Sequence, residues 1–445
     1  MPSTESILPF ELEEHILNYL QDDFPALKAC ALTCHRFVAH AQRVLFARVE
    51  IFFSGDPVER NRLEEFCLLA STDIGDLVND LSIVVVNSII VPEYTGLNLP
   101  MLKGLRNMNL DAEVAKISWE AMSRTLRFTL WTTLTQQSHS LVNLRLSHIE
   151  ELPLSVFANF RSLEGLFLEG VSFNIDDCRL LESGLWPEPI GNSIQCPPEQ
   201  RPHLKRLRLN LINFHLMASI LWITNPQCPF DVSVLEELSI SKDPSYDFWS
   251  WDNINAKINT LLQACANSLQ TFRYSPVFRV DEDDLNDVDD SDWEEWLEDE
   301  TSTTSLQCRP IDFKSLPHLR ILRLSIPESK PLEYGFFDLW FRELANQVKC
   351  CHLIEEVSIK LSVNIIGRPL SLAALKEALL SPTLPLLHRV AIFVHSHENK
   401  LSSEDLQRVR EELLDLEQKG TLIIEQASSI LGFLSEVNER FQIGW

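Results

Sequence analysis

One spacing recurs along this chain: an apolar residue, two positions, an apolar residue, one position, then a third apolar residue. It is clearest at Leu141-Leu144-Leu146, Leu163-Leu166-Leu168, Leu204-Leu207-Leu209, Leu235-Leu238-Ile240 and Leu319-Leu322-Leu324. Looser copies stand at Phe46-Val49-Ile51, Val78-Leu81-Ile83, Leu105-Met108-Leu110, Leu269-Phe272-Tyr274, Ile354-Val357-Ile359 and Leu387-Val390-Ile392. Successive copies start 22 to 50 residues apart. The second and third apolar positions are two residues apart, so on a strand they share one face. Helical periodicity fills the gaps, over 59–69, 112–137, 254–265, 336–348, 372–380 and 404–417. A last strand is predicted over 421–425, followed by an amphipathic helix over 427–441 that closes the series. Alternating strand and helix implies right-handed crossovers, hence an α/β fold with a parallel sheet and helices outside it.

The first 46 residues read differently, as three short helices. Pro9 suits a first helical position, and Glu11, Glu13 and Glu14 follow where the helix dipole favours anions. Leu12, Ile16 and Leu20 recur at four-residue spacing with Leu17 beside them, predicting one apolar stripe. Asp22 and Asp23 stop this helix and cap the next. Pro25 opens a second helix whose apolar side carries Leu27, Cys30, Ala31 and Cys34, and a third segment holds Phe37, Val44, Leu45 and Phe46. About forty residues cannot bury enough apolar area alone. Such a unit leans on the next domain or completes its core with a partner.

The order Leu8-Pro9, Glu11, Ile16, Leu20, Leu27, Cys34 and Phe37 resembles the F-box, in the form found in fungal proteins. The resemblance covers residues 1–50 and implies docking to the Skp-family adaptor of a cullin complex, through Leu8, Pro9, Leu12, Ile16, Leu17, Leu20, Leu27, Leu32 and Phe37. The body, 51–445, resembles an irregular leucine-rich-repeat solenoid. One strand and one helix cannot bury their own apolar faces, whereas a stack of them builds a continuous core. Regular repeats place an Asn three residues after the third apolar position; here Ile149, Val171 and Ile212 stand there. A conventional doubly wound α/β domain is the alternative architecture.

The net charge of −26 argues against nucleic acid as a partner, because a phosphate backbone demands clustered Lys and Arg. An acidic insertion over 281–305 carries thirteen carboxylates between positions 281 and 300, a density that predicts disorder. Trp293 and Trp296 within it suit either a loop resting on the body or a short docking motif. The ten cysteines lack metal-site spacing and read as reduced thiols, and no run of eighteen apolar residues suggests a membrane span. Cytosol or nucleus is therefore the expected compartment.

Enzyme signatures are missing: the thirteen glycines do not cluster into a phosphate loop, and no Gly-x-Ser-x-Gly elbow occurs. His395 and His397 with His388 fall short of a zinc set, so neither metal nor cofactor is expected. The strands' second face is more informative. Its positions hold Arg145, Phe167, Arg206, Arg208, Arg273, Arg323, Lys360, Arg389 and Phe393, a basic stripe in an acidic protein. Long soluble side chains suit a strand face, and Arg also binds carboxylate and phosphate bidentately, so the stripe is the candidate target-binding surface. The resulting expectation is a non-catalytic substrate receptor of a ubiquitin ligase. Its rivals are an F-box scaffold that recruits no ligase and an enzyme on the α/β body.

Overall fold

The computed structural model describes residues 9–20, 23–33, 35–54, 56–86, 102–112, 116–182, 201–211, 213–242, 251–275, 311–326, 346–348, 350–362, 373–395, 407, 409–411 and 413–426. The predicted acidic insertion and the closing helix lie outside these residues, as do Leu8 and most of the helix predicted over 336–348. The protein is α/β with a large parallel sheet. It divides into two compact units, Met1–Asp177 with Pro187–Pro202, and Cys178–Trp186 with His203–Trp445.

The first unit begins with helices α1 (Phe10–Tyr19), α2 (Phe24–Thr33) and α3 (His35–Leu45). Pro9 stands one residue before α1, at its N-cap, and Asp23 caps α2 by accepting from the Ala26 amide at 3.0 Å. Helix α3 runs almost directly into β1 (Arg48–Phe53). There follow α4 (Pro57–Ala70), β2 (Asp80–Val85), β3 (Asn107–Asp111), β4 (Ile117–Ser118), α5 (Arg124–Gln137), β5 (Asn143–Ser147), β6 (Ile149–Glu150) and β7 (Gly165–Glu169). Pairing is parallel in the order β1-β2-β3-β5-β7, with β4 and β6 forming a separate two-stranded ladder.

That small ladder corrects the helix expected from residue 112. Ile117 and Trp119 are buried beside β6, and the helix begins only at Arg124, where the Ser123 hydroxyl accepts from the Leu126 amide. Helix α6 (Ile175–Glu182) ends the described part of this stretch.

The second unit carries β8 (Arg206–Leu211), α7 (Asn213–Thr224), β9 (Glu237–Lys242), α8 (Trp251–Ala264) and β10 (Thr271–Ser275). It continues with β11 (Ile321–Ile326), β12 (Glu356–Ser362), α9 (Ala373–Leu379), β13 (Arg389–His395), α10 (Leu414–Gln418) and β14 (Leu422–Gln426). Its strands run parallel in sequence order. Helix α7 escaped the sequence reading because it is apolar on every side, with Leu216 to Ile220, Trp222 and Ile223 all buried. It packs against α8, whose buried Ile254, Ile258, Leu261 and Leu262 follow the expected helical period.

Register explains the recurring spacing. In the first unit Val49, Leu81, Met108, Leu144 and Leu166 are successive partners, and so are Ile51, Ile83, Leu110, Leu146 and Leu168. In the second, Leu207, Leu238, Phe272, Leu322, Val357, Val390 and Leu422 form one row, and Leu209, Ile240, Tyr274, Leu324, Ile359, Ile392 and Ile424 the other. The leucines at both motif positions are buried except Leu422 on β14, which is half-buried, and the leading apolar residue is buried at Leu141, Leu163, Leu204, Leu235 and Leu319.

A backbone device recurs at the same point of each turn. The carbonyl just before a strand accepts two amides from the following turn. Ala47 accepts from Asn79 and Asp80, Asn79 from Arg106 and Asn107, Arg106 from Val142 and Asn143, and Val142 from Glu164 and Gly165. In the second unit Lys205, Glu236, Gln270, Arg320 and Glu355 do the same. These shared bonds lock each strand to the next through backbone atoms alone. A short side-chain ladder does exist on the other face: Asn143 donates to Asn107, which donates to Asp80.

His215 on α7 gives the fold a pH dependence. Burial pushes its pKa from 6.5 down to about 4. The native state therefore resists a proton that the unfolded chain accepts, so stability is complete above about pH 6.5 and falls as pH drops toward 4. The full swing is on the order of 3 kcal/mol. His215→Gln is expected to flatten this part of the pH profile in urea unfolding, and an unchanged slope would contradict the assignment.

Candidate functional sites

Two surfaces merit attention, one in each unit. On α1 the side chains sort into two faces. Glu13 and Leu17 are buried and Leu20 is half-buried, whereas Leu12 (49% exposed), Ile16 (48%) and Tyr19 (87%) point outward at i, i+4 and i+7. The predicted stripe of Leu12, Ile16 and Leu20 is thus split, with its first two members outside. Helix α3 fixes this rotation: His40 pairs through Nε2 with Asn18 at 3.1 Å and lies 3.5 Å from Glu14 through Nδ1. Leu17 and Leu27 fill the small helical core and support the surface from beneath. Leu32 (89%) and Phe24 add exposed apolar area on α2, Pro9 is exposed, and Phe37 is half-buried. Tyr19 and Phe24 were not among the predicted contacts, although their spacing from Ile16 and Leu27 already marked them.

The second surface is the outward face of β8 to β13. Two cross-strand rows define it. Arg206, Glu237, Thr271, Ile321, Glu356 and Arg389 are successive partners, and beside them run Arg208, Ser239, Arg273, Arg323, Ser358 and Ala391. Lys360 pairs with Phe393 one step further along. The predicted cations are therefore brought together, but not as an open stripe. Glu356 bridges Arg323 at 3.3 Å and Arg389 at 3.5 Å, and Ser358 donates to the same carboxylate at 3.2 Å. Glu356, Ser358 and Lys360 (4% exposed) are buried. At the row's leading edge Arg320 grips Glu355 with two hydrogen bonds of 2.9 Å.

Arg273 stands apart. It is half-buried, and it makes no side-chain hydrogen bond or ion pair among the described residues. Burial, then the like charges of Arg323 and Arg208, hold its pKa down to about 10 against the pull of Glu237 and Glu356. Arg323 is shifted down as well, chiefly by burial. In the first unit, Arg145 pairs with Glu169 at 2.5 Å beside Phe167.

A cluster that sequence reading missed sits where β3, β5 and β7 end. His148 adopts a left-handed backbone (φ 59°), bonds Asp111 through Nδ1 at 3.0 Å, and lies against Gly170. The bond to Asp111 raises its pKa, reinforced by the charges of Asp111 and Glu169. No local pattern announces it, because its members lie on three separate turns.

Among the described residues no group of three or more His, Cys, Asp or Glu side chains is placed to hold a metal ion, and no helix is long and apolar enough to cross a membrane. Of the predicted histidines, His388 is exposed and bonds the Leu386 carbonyl, while His397 lies outside the described residues. Cys30, Cys67, Cys178, Cys228, Cys265, Cys350 and Cys351 are free thiols. No protein-family model matches the chain, and no curated protein shows significant sequence similarity to it.

Proposed function

We propose that the chain is a substrate-receptor subunit of a cullin–RING ubiquitin ligase. Helices α1 to α3 act as an F-box that binds the Skp-family adaptor. The body acts as an irregular leucine-rich-repeat-like solenoid that holds a target protein. The receptor performs no chemistry itself; its work is proximity, which raises the effective concentration of target lysines at the transferring enzyme. The carrying observation is the apolar row of Leu12, Ile16 and Tyr19, turned outward from a helical unit whose own core is filled by Leu17, Leu27 and Ala41. A free-standing cap would turn that row inward, since exposed apolar patches mark contact surfaces.

The second reading is an F-box scaffold that binds the adaptor without recruiting a ligase. Affinity purification from cells separates the two: adaptor with cullin supports the receptor, adaptor alone supports the scaffold. Leu8→Ala with Pro9→Ala should remove both partners from the eluate and leave thermal unfolding of the body unchanged. Capture at the wild-type level by this double variant would reject the F-box assignment.

A further inference from the structure

We infer that the β4–β6 ladder is a proton-operated latch. His148, when it carries a proton, holds the ladder closed against the ends of β3, β5 and β7, and loss of that proton loosens it. The inference is independent of the receptor reading. It stands first on connectivity. His148 directly follows β5, and its polar groups tie it to three other strands. Its amide donates to the Glu169 carbonyl of β7 at 2.8 Å, its carbonyl accepts from the Ile117 amide of β4 at 3.1 Å, and Nδ1 donates to the Asp111 carboxylate of β3 at 3.0 Å. The ladder pairs Ile117 with Ile149 and Ser118 with Glu150. It is closed by the Ile117 bond and by the Trp119 amide, which donates to the Glu150 carbonyl at 2.7 Å. A unit closed by so few backbone bonds opens locally with ease, so one side-chain bond decides how often it does.

Backbone strain gathers at the same place. Among the described residues the non-glycine positions with left-handed backbone are Lys116 (φ 40°), His148 (φ 59°) and Glu151 (φ 56°), and all three flank β4 or β6. Such conformations persist where their surroundings hold them. The His148 ring packs against Gly170 (φ 58°), where an added Cβ would come within 3.0 Å of it. The groups around the ring decide its charge. The bond to Asp111 favours the proton most, burial and Lys116 oppose it, and the charges of Asp111 and Glu169 add to the favourable side. Arg145 on β5 pairs with Glu169, and of Glu150 and Glu151 on and beside β6, Glu151 takes the Ser118 hydroxyl. A protonated imidazole makes a charge-assisted bond to Asp111, stronger than the neutral ring makes. The balance raises the pKa of His148 above its ordinary 6.5. The latch is therefore complete below pH 6.5 and weakens as pH rises through the raised value. Opening uncovers Ile117, Trp119 and Ile149, all buried in the closed ladder.

The test uses the full chain. Hydrogen exchange, read by mass spectrometry and corrected for intrinsic rate, follows the peptides over 116–120 and 147–152, with β11 to β13 as internal reference. The scan runs from about pH 6 to about pH 8.5, where a histidine of raised pKa changes charge. Histidine ring NMR on the same samples, assigned with His148→Asn, gives the midpoint of the proton. In wild type that midpoint should lie above 6.5. Exchange in the ladder should speed up across it by roughly three- to tenfold, the difference between a charged and a neutral hydrogen bond. His148→Asn should remove the dependence, since Asn tolerates left-handed backbone and carries no titrating ring. Asp111→Asn should move the His148 midpoint down and the exchange step with it. His215 does not interfere, because its contribution falls only below about pH 6.5.

The inference is overturned if ladder exchange in wild type keeps pace with β11 to β13 at every pH, or if it slows as pH rises. It is equally overturned if His148→Asn keeps the wild-type dependence, or if His148 titrates at or below 6.5. Should His148→Asn fail to fold, wild type and Asp111→Asn decide the matter. A His148 midpoint that Asp111→Asn leaves in place rejects the latch, and one that moves down together with the exchange step supports it.

Discussion

Leu12→Asp combined with Ile16→Asp is expected to eliminate adaptor binding while leaving the parallel sheet intact. Both side chains are about half exposed on α1, so their replacement costs the three-helix unit little of its own core, which rests on Leu17, Leu27 and Ala41. In a complex their remaining surface would be covered. A fully buried aliphatic side chain contributes roughly 1.5–3 kcal/mol, so half of two such contributions is about 1.5–3 kcal/mol in total. Two carboxylates forced into the same contact add a desolvation cost of at least comparable size. The sum is a loss of affinity of roughly a hundredfold or more. Helical content and melting temperature serve as controls, since a collapse of α1 would lower both.

Leu322→Ala should strongly destabilise the body. Leu322 is fully buried on β11, with Phe272 of β10 and Val357 of β12 as its register partners. Its neighbours belong to parallel strands locked turn to turn by the Gln270 and Arg320 carbonyls, so they cannot close around a void without breaking those shared bonds. The expected cost is about 2–5 kcal/mol in urea unfolding, near the upper end because the site relaxes poorly. A cost below about 1 kcal/mol would mean that the row is not a rigid core.

The strand rows were legible in the sequence because a parallel sheet buried on one face writes a period of two into every turn. Val49 and Ile51 differ in composition from Leu144 and Leu146 yet occupy the same register positions. Three features were not legible, each for a physical reason. Helix α7 has no polar face for periodicity to detect. The carbonyl spine at Ala47, Asn79 or Gln270 is made of backbone atoms and leaves no side-chain signature. The outward turn of Leu12 and Ile16 depends on where α3 places His40, since an amphipathic period shows that a face is apolar but not what covers it.

The target-binding candidates were half legible. Alternation put Arg208, Arg273 and Arg323 on one face, but the roles of Glu356 and Glu169 emerged only from cross-strand pairing, 33 and 24 residues away from Arg323 and Arg145. An apparent basic stripe is therefore a partly neutralised network in which Arg323 and Arg389 share Glu356.

The most direct test of the account is to mix the purified full chain with a purified Skp-family adaptor and measure mass by light scattering during size exclusion. A one-to-one complex that also takes up the cullin is expected, and it should disappear with Leu12→Asp and Ile16→Asp. A chain that elutes at its own 51.1 kDa mass with adaptor present in excess would contradict it.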